Sequence, residues 1–136
     1  MIKRILVAYD DTEPARRALE RAAELAKAFQ ARVIVTSVAP VLVGSPRAIG
    51  PVDPVDSPQH HAEELESARA ILGERGIEAQ LAPATGDPAG AIATIAEERD
   101  ADLVIVGTRE PGLAERIMRH SVSNEVARLV HRDLLI

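Results

Sequence analysis

Cysteine and tryptophan are absent from this 136-residue chain, and tyrosine and phenylalanine occur once each. Without cysteine there is no disulfide framework, no thiolate metal site, no iron–sulfur cluster and no cysteine nucleophile, so a reducing, cytoplasmic setting is expected. The scarcity of aromatic rings removes any stacking platform for unpaired bases, and a formal charge of -5 repels phosphate backbones, which argues against a nucleic-acid partner. No apolar run approaches the roughly 20 residues needed to cross a bilayer, so no membrane partner is expected. The opening Met1-Ile2-Lys3-Arg4-Ile5-Leu6-Val7-Ala8-Tyr9-Asp10 places a basic pair within a short apolar run and an acid directly after it, unlike a signal peptide. Hydrophobic residues at 46% and charged residues at 27% are ordinary for a globular chain, and the length suits one domain over residues 1–136.

What is present is an alternation of two periodicities. Ile2 to Tyr9 is a nearly unbroken apolar run, as expected of a strand buried on both faces. Glu13 to Gln30 then carries Ala15, Ala18, Leu19, Ala22, Ala23, Leu25, Ala26 and Phe29 at helical spacing. The same reading gives strands at Arg32–Pro40, Glu78–Ala84 and Leu103–Val106, helices at Glu63–Gly73 and Ala89–Arg99, a last helix at about Val122–Val130 and a terminal strand Leu134-Leu135-Ile136. Thr12-Glu13-Pro14, Ser57-Pro58 and Asp87-Pro88 each set an oxygen-bearing cap near a proline, marking helix starts. The order β-α-β-α-β-α-β-α-β implies a doubly wound α/β fold, with a five-stranded parallel sheet and helices on both faces. Ligands of such sheets bind beyond the carboxyl ends of the strands, where strand order reverses. Between the second strand and second helix, residues 41–56 hold Gly44, Pro46, Gly50, Pro51 and Pro54 with hardly any charge, which reads as a flexible loop.

The sharpest local feature is Val104-Ile105-Val106-Gly107-Thr108-Arg109, followed by a polar loop and by His120-Ser121-Val122-Ser123 opening the last helix. A strand, a glycine turn and a helix N-terminus rich in hydroxyls form an anion cradle. Together with Val7-Ala8-Tyr9-Asp10-Asp11-Thr12-Glu13-Pro14 and Gly86-Asp87-Pro88-Ala89, this order resembles the universal stress protein family over nearly the whole chain. The resemblance implies a Rossmann-like sheet of the adenine nucleotide alpha hydrolase-like kind. Nucleotide-binding members of that family carry Gly-x2-Gly-x9-Gly-(Ser/Thr). Here Gly107 takes the first glycine, Glu110 the second, His120 the third and Ser121 the hydroxyl position. Glycine lets a backbone approach phosphates closely, whereas Glu110 adds bulk and a carboxylate. Like charges about 4 Å apart repel by roughly 4 kcal/mol at an effective dielectric near 20. Pro111 removes a further donor, while Arg109, Arg119 and a protonated His120 can pair with phosphate.

The adenosine half is better kept. The resemblance implies that Asp10 accepts from the adenine or ribose edge, that Thr12 stands for a family serine and that Val38 lines the base. Asp11 replaces the usual glycine. The expected ligand set is therefore Asp10, Thr12, Val38, Gly107, Arg109, His120, Ser121 and Ser123, for ATP or another adenine nucleotide, with Mg²⁺ where a triphosphate binds. No catalytic residue and no metal ligand is expected. Adjacent His60-His61 point about 100° apart on a helix and read as a solvated helix start. Glu97, Glu98, Asp100 and Asp102 read as a solvated rim, and His131 as a partner of the last helix's dipole. Ser121 and Ser123 lack a His-Asp partner at recognisable spacing, and neither a Walker lysine motif nor GxGxxG is present. Two readings follow from the resemblance: a non-catalytic regulatory or protective protein, homodimeric through its C-terminal strand and acting on protein partners, and a nucleotide-binding switch. A third, a small hydrolase or phosphotransferase with Asp10 and Asp11 holding Mg²⁺, has no further support in the sequence.

Overall fold

The computed structural model describes residues 1–39, 58–107, 126 and 132–135. The elements are β1 (Arg4–Ala8), α1 (Glu13–Phe29), β2 (Arg32–Ala39), α2 (Pro58–Glu74), β3 (Ala79–Thr85), α3 (Pro88–Glu98), β4 (Leu103–Val106) and β5 (Asp133–Leu135). The five strands form one parallel sheet in the order β3-β2-β1-β4-β5, with Ala8 level with Thr36 on one side and with Val106 on the other. Strand order thus reverses between β1 and β4, and their carboxyl ends flank the crevice where doubly wound sheets bind ligands. Pro83 is accommodated because β3 is an edge strand, where a missing N–H costs no ladder bond. The expected loop at 41–56 and most of the expected last helix lie outside the described residues. Within that helix Val126 is helical and fully buried.

The unbroken apolar runs follow from burial on both sides. Ile5 and Val7 of β1, Val33 and Val35 of β2 and Ile105 of β4 pack beneath α1 and α2. The alternate residues Leu6, Ile34, Val104 and Val106 pack against Ala89, Ile92 and Ile95 of α3 and against Val126. On α1, Ala15, Ala18, Ala22 and Ala26 face the sheet around fully buried Leu19, so the helix lies close to the strands. Truncating a side chain as enclosed as Leu19 to alanine costs about 2–5 kcal/mol in typical cores.

Capping places the helix starts. Asp87 accepts from the Gly90 amide at 2.9 Å at the head of α3, and Thr12 accepts from the Ala15 amide at a longer 3.4 Å at the head of α1. Pro14 and Pro88 sit in the first turns, where a missing N–H is harmless. The α2 helix begins at Pro58, five residues before the apolar periodicity starts. Ser57 lies outside the described residues.

Candidate functional site

Beyond β1 the chain turns sharply. Tyr9 still donates its amide to the Thr36 carbonyl at 2.9 Å, and then Asp11 adopts a left-handed conformation at φ 59°. Asp is among the side chains that tolerate this region, and the glycine that the family places here adopts it freely. The Asp11 carboxylate accepts from the buried Tyr9 hydroxyl at 2.8 Å and from Arg16 at 2.9 Å. Those two hydrogen bonds, the tyrosine's first, hold the Asp11 carboxyl below its ordinary range. Burial pushes the Tyr9 phenol upward.

Asp10 is exposed at the carboxyl end of β1. Its Oδ1 accepts from the amide and hydroxyl of Thr12, and Oδ2 has no hydrogen bond among the described residues. Asp10 and Asp11 therefore face different partners, Asp10 turning to Thr12 and Asp11 to Tyr9 and Arg16. Val38 lies inside β2, half-buried, with its side chain on the α3 face. Because Ala8 is level with Thr36, Asp10 and Val38 lie two residues further along neighbouring strands, which brings both to the same edge of the sheet.

Gly107 follows β4 directly and is packed against the head of α1. A Cβ there would lie 2.5 Å from the carbonyl carbon and oxygen of Pro14 and 2.8 Å from the Ala15 nitrogen. The glycine is thus required by helix packing whether or not a phosphate approaches it. Arg109, His120, Ser121 and Ser123 lie outside the described residues, as do Glu110, Pro111, Arg119 and His131.

At the foot of the sheet the acidic rim is a set of structural contacts. Arg132 meets Glu97 at 3.2 Å and Asp100 at 3.0 Å, tying β5 to the end of α3. Asp102 accepts from the Lys3 and Arg4 amides at 2.7 and 2.9 Å, and these bonds hold its carboxyl below the ordinary range.

The structure corrects the expectation of a solvated helix start at His60-His61. The side chain of His61 is only 12% exposed, and it meets Ser37, 2% exposed, and Glu64, 6% exposed. Ser37 Oγ donates to Glu64 Oε2 at 2.8 Å and lies 2.6 Å from His61 Nδ1, while His60 Nε2 sits 2.9 Å from Glu64 Oε1. The sequence carried a signal for this: His61, Glu64, Leu65, Ala68 and Leu72 share one helical stripe, the buried one. A hydroxyl, imidazole and carboxylate in contact suggest a nucleophile relay, but the arrangement is different. In such relays the serine and the acid bind opposite ring nitrogens, whereas here both lie on the Nδ1 side. Among the described residues no group of three or more His, Asp or Glu side chains is placed to hold a metal ion, and no helix is long and apolar enough to cross a membrane.

Comparison with known proteins places this geometry. The whole chain, residues 1–136, matches the Universal stress protein family. A universal stress protein of Synechocystis is 33% identical over 136 residues, spanning 100% of this chain and 85% of that protein. Universal stress protein YxiE of Bacillus subtilis is 30% identical over 148 residues, spanning 100% of this chain and 99% of its own. Among solved structures, a universal stress protein in complex with cAMP superposes with a TM-score of 0.75 at 27% identity, covering 99% of this chain and 95% of that one. The Archaeoglobus fulgidus protein in complex with dAMP gives 0.71 at 26% identity, covering 99% and 98%. Sheet order, the Asp10 turn, the glycine after β4 and these matches agree, and the chain belongs to the universal stress protein family.

Proposed function

We propose that this protein is a non-catalytic regulatory or protective homodimer that binds an adenine mononucleotide at the carboxyl ends of β1 and β4. The observation that carries the reading is Asp10. Its Oδ2 is exposed and, among the described residues, unengaged, at the edge where strand order reverses and close to Val38. A carboxylate oxygen there suits the adenine amino group or a ribose hydroxyl, and Val38 supplies an apolar wall for the base. Related chains captured with cAMP and dAMP support the same ligand class.

The phosphate half favours a monophosphate over ATP. Gly107 packs against the head of α1, and by the family's spacing Arg109, Ser121 and Ser123 with a protonated His120 would supply donors for one phosphate group. By the family's spacing Glu110 takes the second glycine of the motif and brings a carboxylate to the stretch that serves a longer phosphate chain. The partner contact is assigned to β5, which pairs with β4 on one side and forms the sheet edge on the other, with Leu135 40% exposed. An apolar edge strand is a template for pairing with a second copy.

Calorimetric titration with AMP, cyclic AMP and ATP, with and without Mg²⁺, tests the ligand. Micromolar binding of AMP or cyclic AMP, with ATP weaker, is expected. Silence with all three refutes nucleotide binding. Glu110→Gly combined with His120→Gly should raise ATP affinity, and unchanged affinity would show that the cradle is misplaced. Light scattering at micromolar concentration should report a dimer that Leu135→Lys converts to monomer; a monomeric parent protein refutes the dimer.

A further inference from the structure

Once the Tyr9 amide has bonded to the Thr36 carbonyl, the chain has two residues in which to leave β1 and enter α1. The Thr12 carbonyl already accepts the first helical bond, from the Arg16 amide at 2.9 Å. Those two residues are Asp10 and Asp11. The turn is made with Asp11 at φ 59°, in the left-handed region that every residue but glycine enters at a cost.

The Asp11 side chain offsets that cost. Its Oδ1 accepts from the Tyr9 hydroxyl at 2.8 Å on the strand side, and from Arg16 Nη2 at 2.9 Å and Nε at 3.3 Å on the helix side. One carboxylate thus ties the end of β1 to the first turn of α1. The two ties differ in weight. Tyr9 is 3% exposed, so its hydroxyl is a sheltered donor anchored in the core. The Arg16 and Asp11 side chains are 58% and 43% exposed, and an ion pair so open to water contributes little. The Asp11 carboxyl lies below its ordinary range chiefly because of the tyrosine, in agreement with that order.

Asp10 lies inside this brace. Its Oδ1 is taken by the amide and hydroxyl of Thr12, so the direction in which Oδ2 faces is set by the backbone between Tyr9 and Thr12. We infer, resting on the nucleotide reading above, that Tyr9 is a positioning residue for the ligand: through Asp11 it holds the turn that presents Asp10 Oδ2. A purely conformational role for position 11 has a different consequence, because glycine, which enters the left-handed region freely, would then serve as well as aspartate. Asparagine separates the two cases, since it tolerates that region and keeps a side-chain oxygen for the tyrosine hydroxyl.

The test is calorimetric titration of the full chain and its variants with AMP, alongside NMR of ¹³C-labelled tyrosine. Tyr9 is the only tyrosine, so one ring signal reports its bond to Asp11. Tyr9→Phe and Asp11→Gly should each weaken AMP binding by roughly three- to tenfold, the worth of one hydrogen bond, while circular dichroism shows the fold kept. The double variant should bind no more weakly than either single one, because both remove the same contact. Asp11→Asn should restore most of the affinity that Asp11→Gly loses and return the Tyr9 ring signal toward its parent position. Absence of AMP binding by the parent protein refutes the nucleotide reading and the positioning role with it. Where the parent binds AMP, undiminished binding by Tyr9→Phe or Asp11→Gly, an asparagine variant as weak as the glycine one, or additive losses in the double variant would each overturn the positioning role alone.

Discussion

Gly107→Ala adds one methyl group, and the surroundings decide its cost. The new Cβ would fall 2.5 Å from the Pro14 carbonyl carbon and oxygen and 2.8 Å from the Ala15 nitrogen, inside any separation such atoms adopt. These are backbone atoms of the first turn of α1, and the Pro14 ring fixes the local φ, so no side chain can swing aside. Overpacking of a dense interior costs typically 1–3 kcal/mol, and a rigid obstacle argues for the upper end, about 3 kcal/mol. For a domain of this length, a loss of that size lowers Tm by about 10 °C. Gly73→Ala is the control: it lies in α2 with no atom within 4 Å of the new Cβ, and alanine's helix preference should raise Tm by about 2 °C. Gly86→Ala also meets no atom, yet its φ of +118° strains any side chain, so it should lower stability by about 1–2 kcal/mol. Thermal unfolding followed by circular dichroism ranks the three. A Gly107→Ala protein melting within about 2 °C of the parent would refute the packing argument. If such a protein also lost AMP binding, the glycine would owe its place to the ligand.

Asp87→Ala should lower stability by about 1 kcal/mol, since it removes the bond to the Gly90 amide; the cognate Thr12→Ala should cost less because its cap bond is 3.4 Å long. Chemical denaturation of both variants measures the difference, and equal losses would count against the distance argument. Asp102→Asn probes pH dependence. The Lys3 and Arg4 amides hold the Asp102 carboxyl below its ordinary value of 3.8, so its stabilisation is present above that value and disappears as pH falls through the lower, folded-state value. The parent should therefore exceed Asp102→Asn in stability near neutral pH and match it only in acid below the folded-state value, where both carry a neutral group. A gap that persists in acid would show that the charge is not the source.

Strand positions were legible because burial on both faces demands continuous apolar runs, as at Leu103–Val106, and a run that short and that apolar suits few environments besides a central strand. Helix heads were legible through Thr12 and Asp87, whose chemistry is local. Gly107 was legible as a special position but for an incomplete reason: the sequence shows a glycine after a strand, while the obstacle that demands it, the head of α1, lies more than ninety residues earlier. The Ser37–His61–Glu64 contact was missed because its serine lies on β2, 24 residues from His61, and because two adjacent histidines pose a metal question that masks the buried stripe. The polar residues His61 and Glu64 at stripe positions were the visible anomaly.

The two polar constellations share a cause. At the carboxyl edge of a parallel sheet the last backbone and side-chain groups leave the ladder and must find other partners. Tyr9 and Gly86 solve this by donating to the Thr36 and Ala39 carbonyls, and buried Thr36 by donating its hydroxyl to the Ala82 carbonyl at 2.7 Å. Asp10 and His61 do so incompletely, since Asp10 Oδ2 and the buried His61 Nε2 each lack a protein partner among the described residues. The β2 strand fixes which face each serves. Its register against β3, with Ser37 level with Pro83 and Ala39 with Thr85, sends Ser37 toward α2 and Val38 toward α3. A slip of one residue would exchange those faces and bury Ser37 against the apolar side of α3, away from Glu64. The packing of Val33 and Val35 beneath α1 and α2, and of Ile34 against α3, resists that slip, so the same apolar pattern that builds the core also keeps Ser37 with His61 and Glu64 on one side and Val38 on the other.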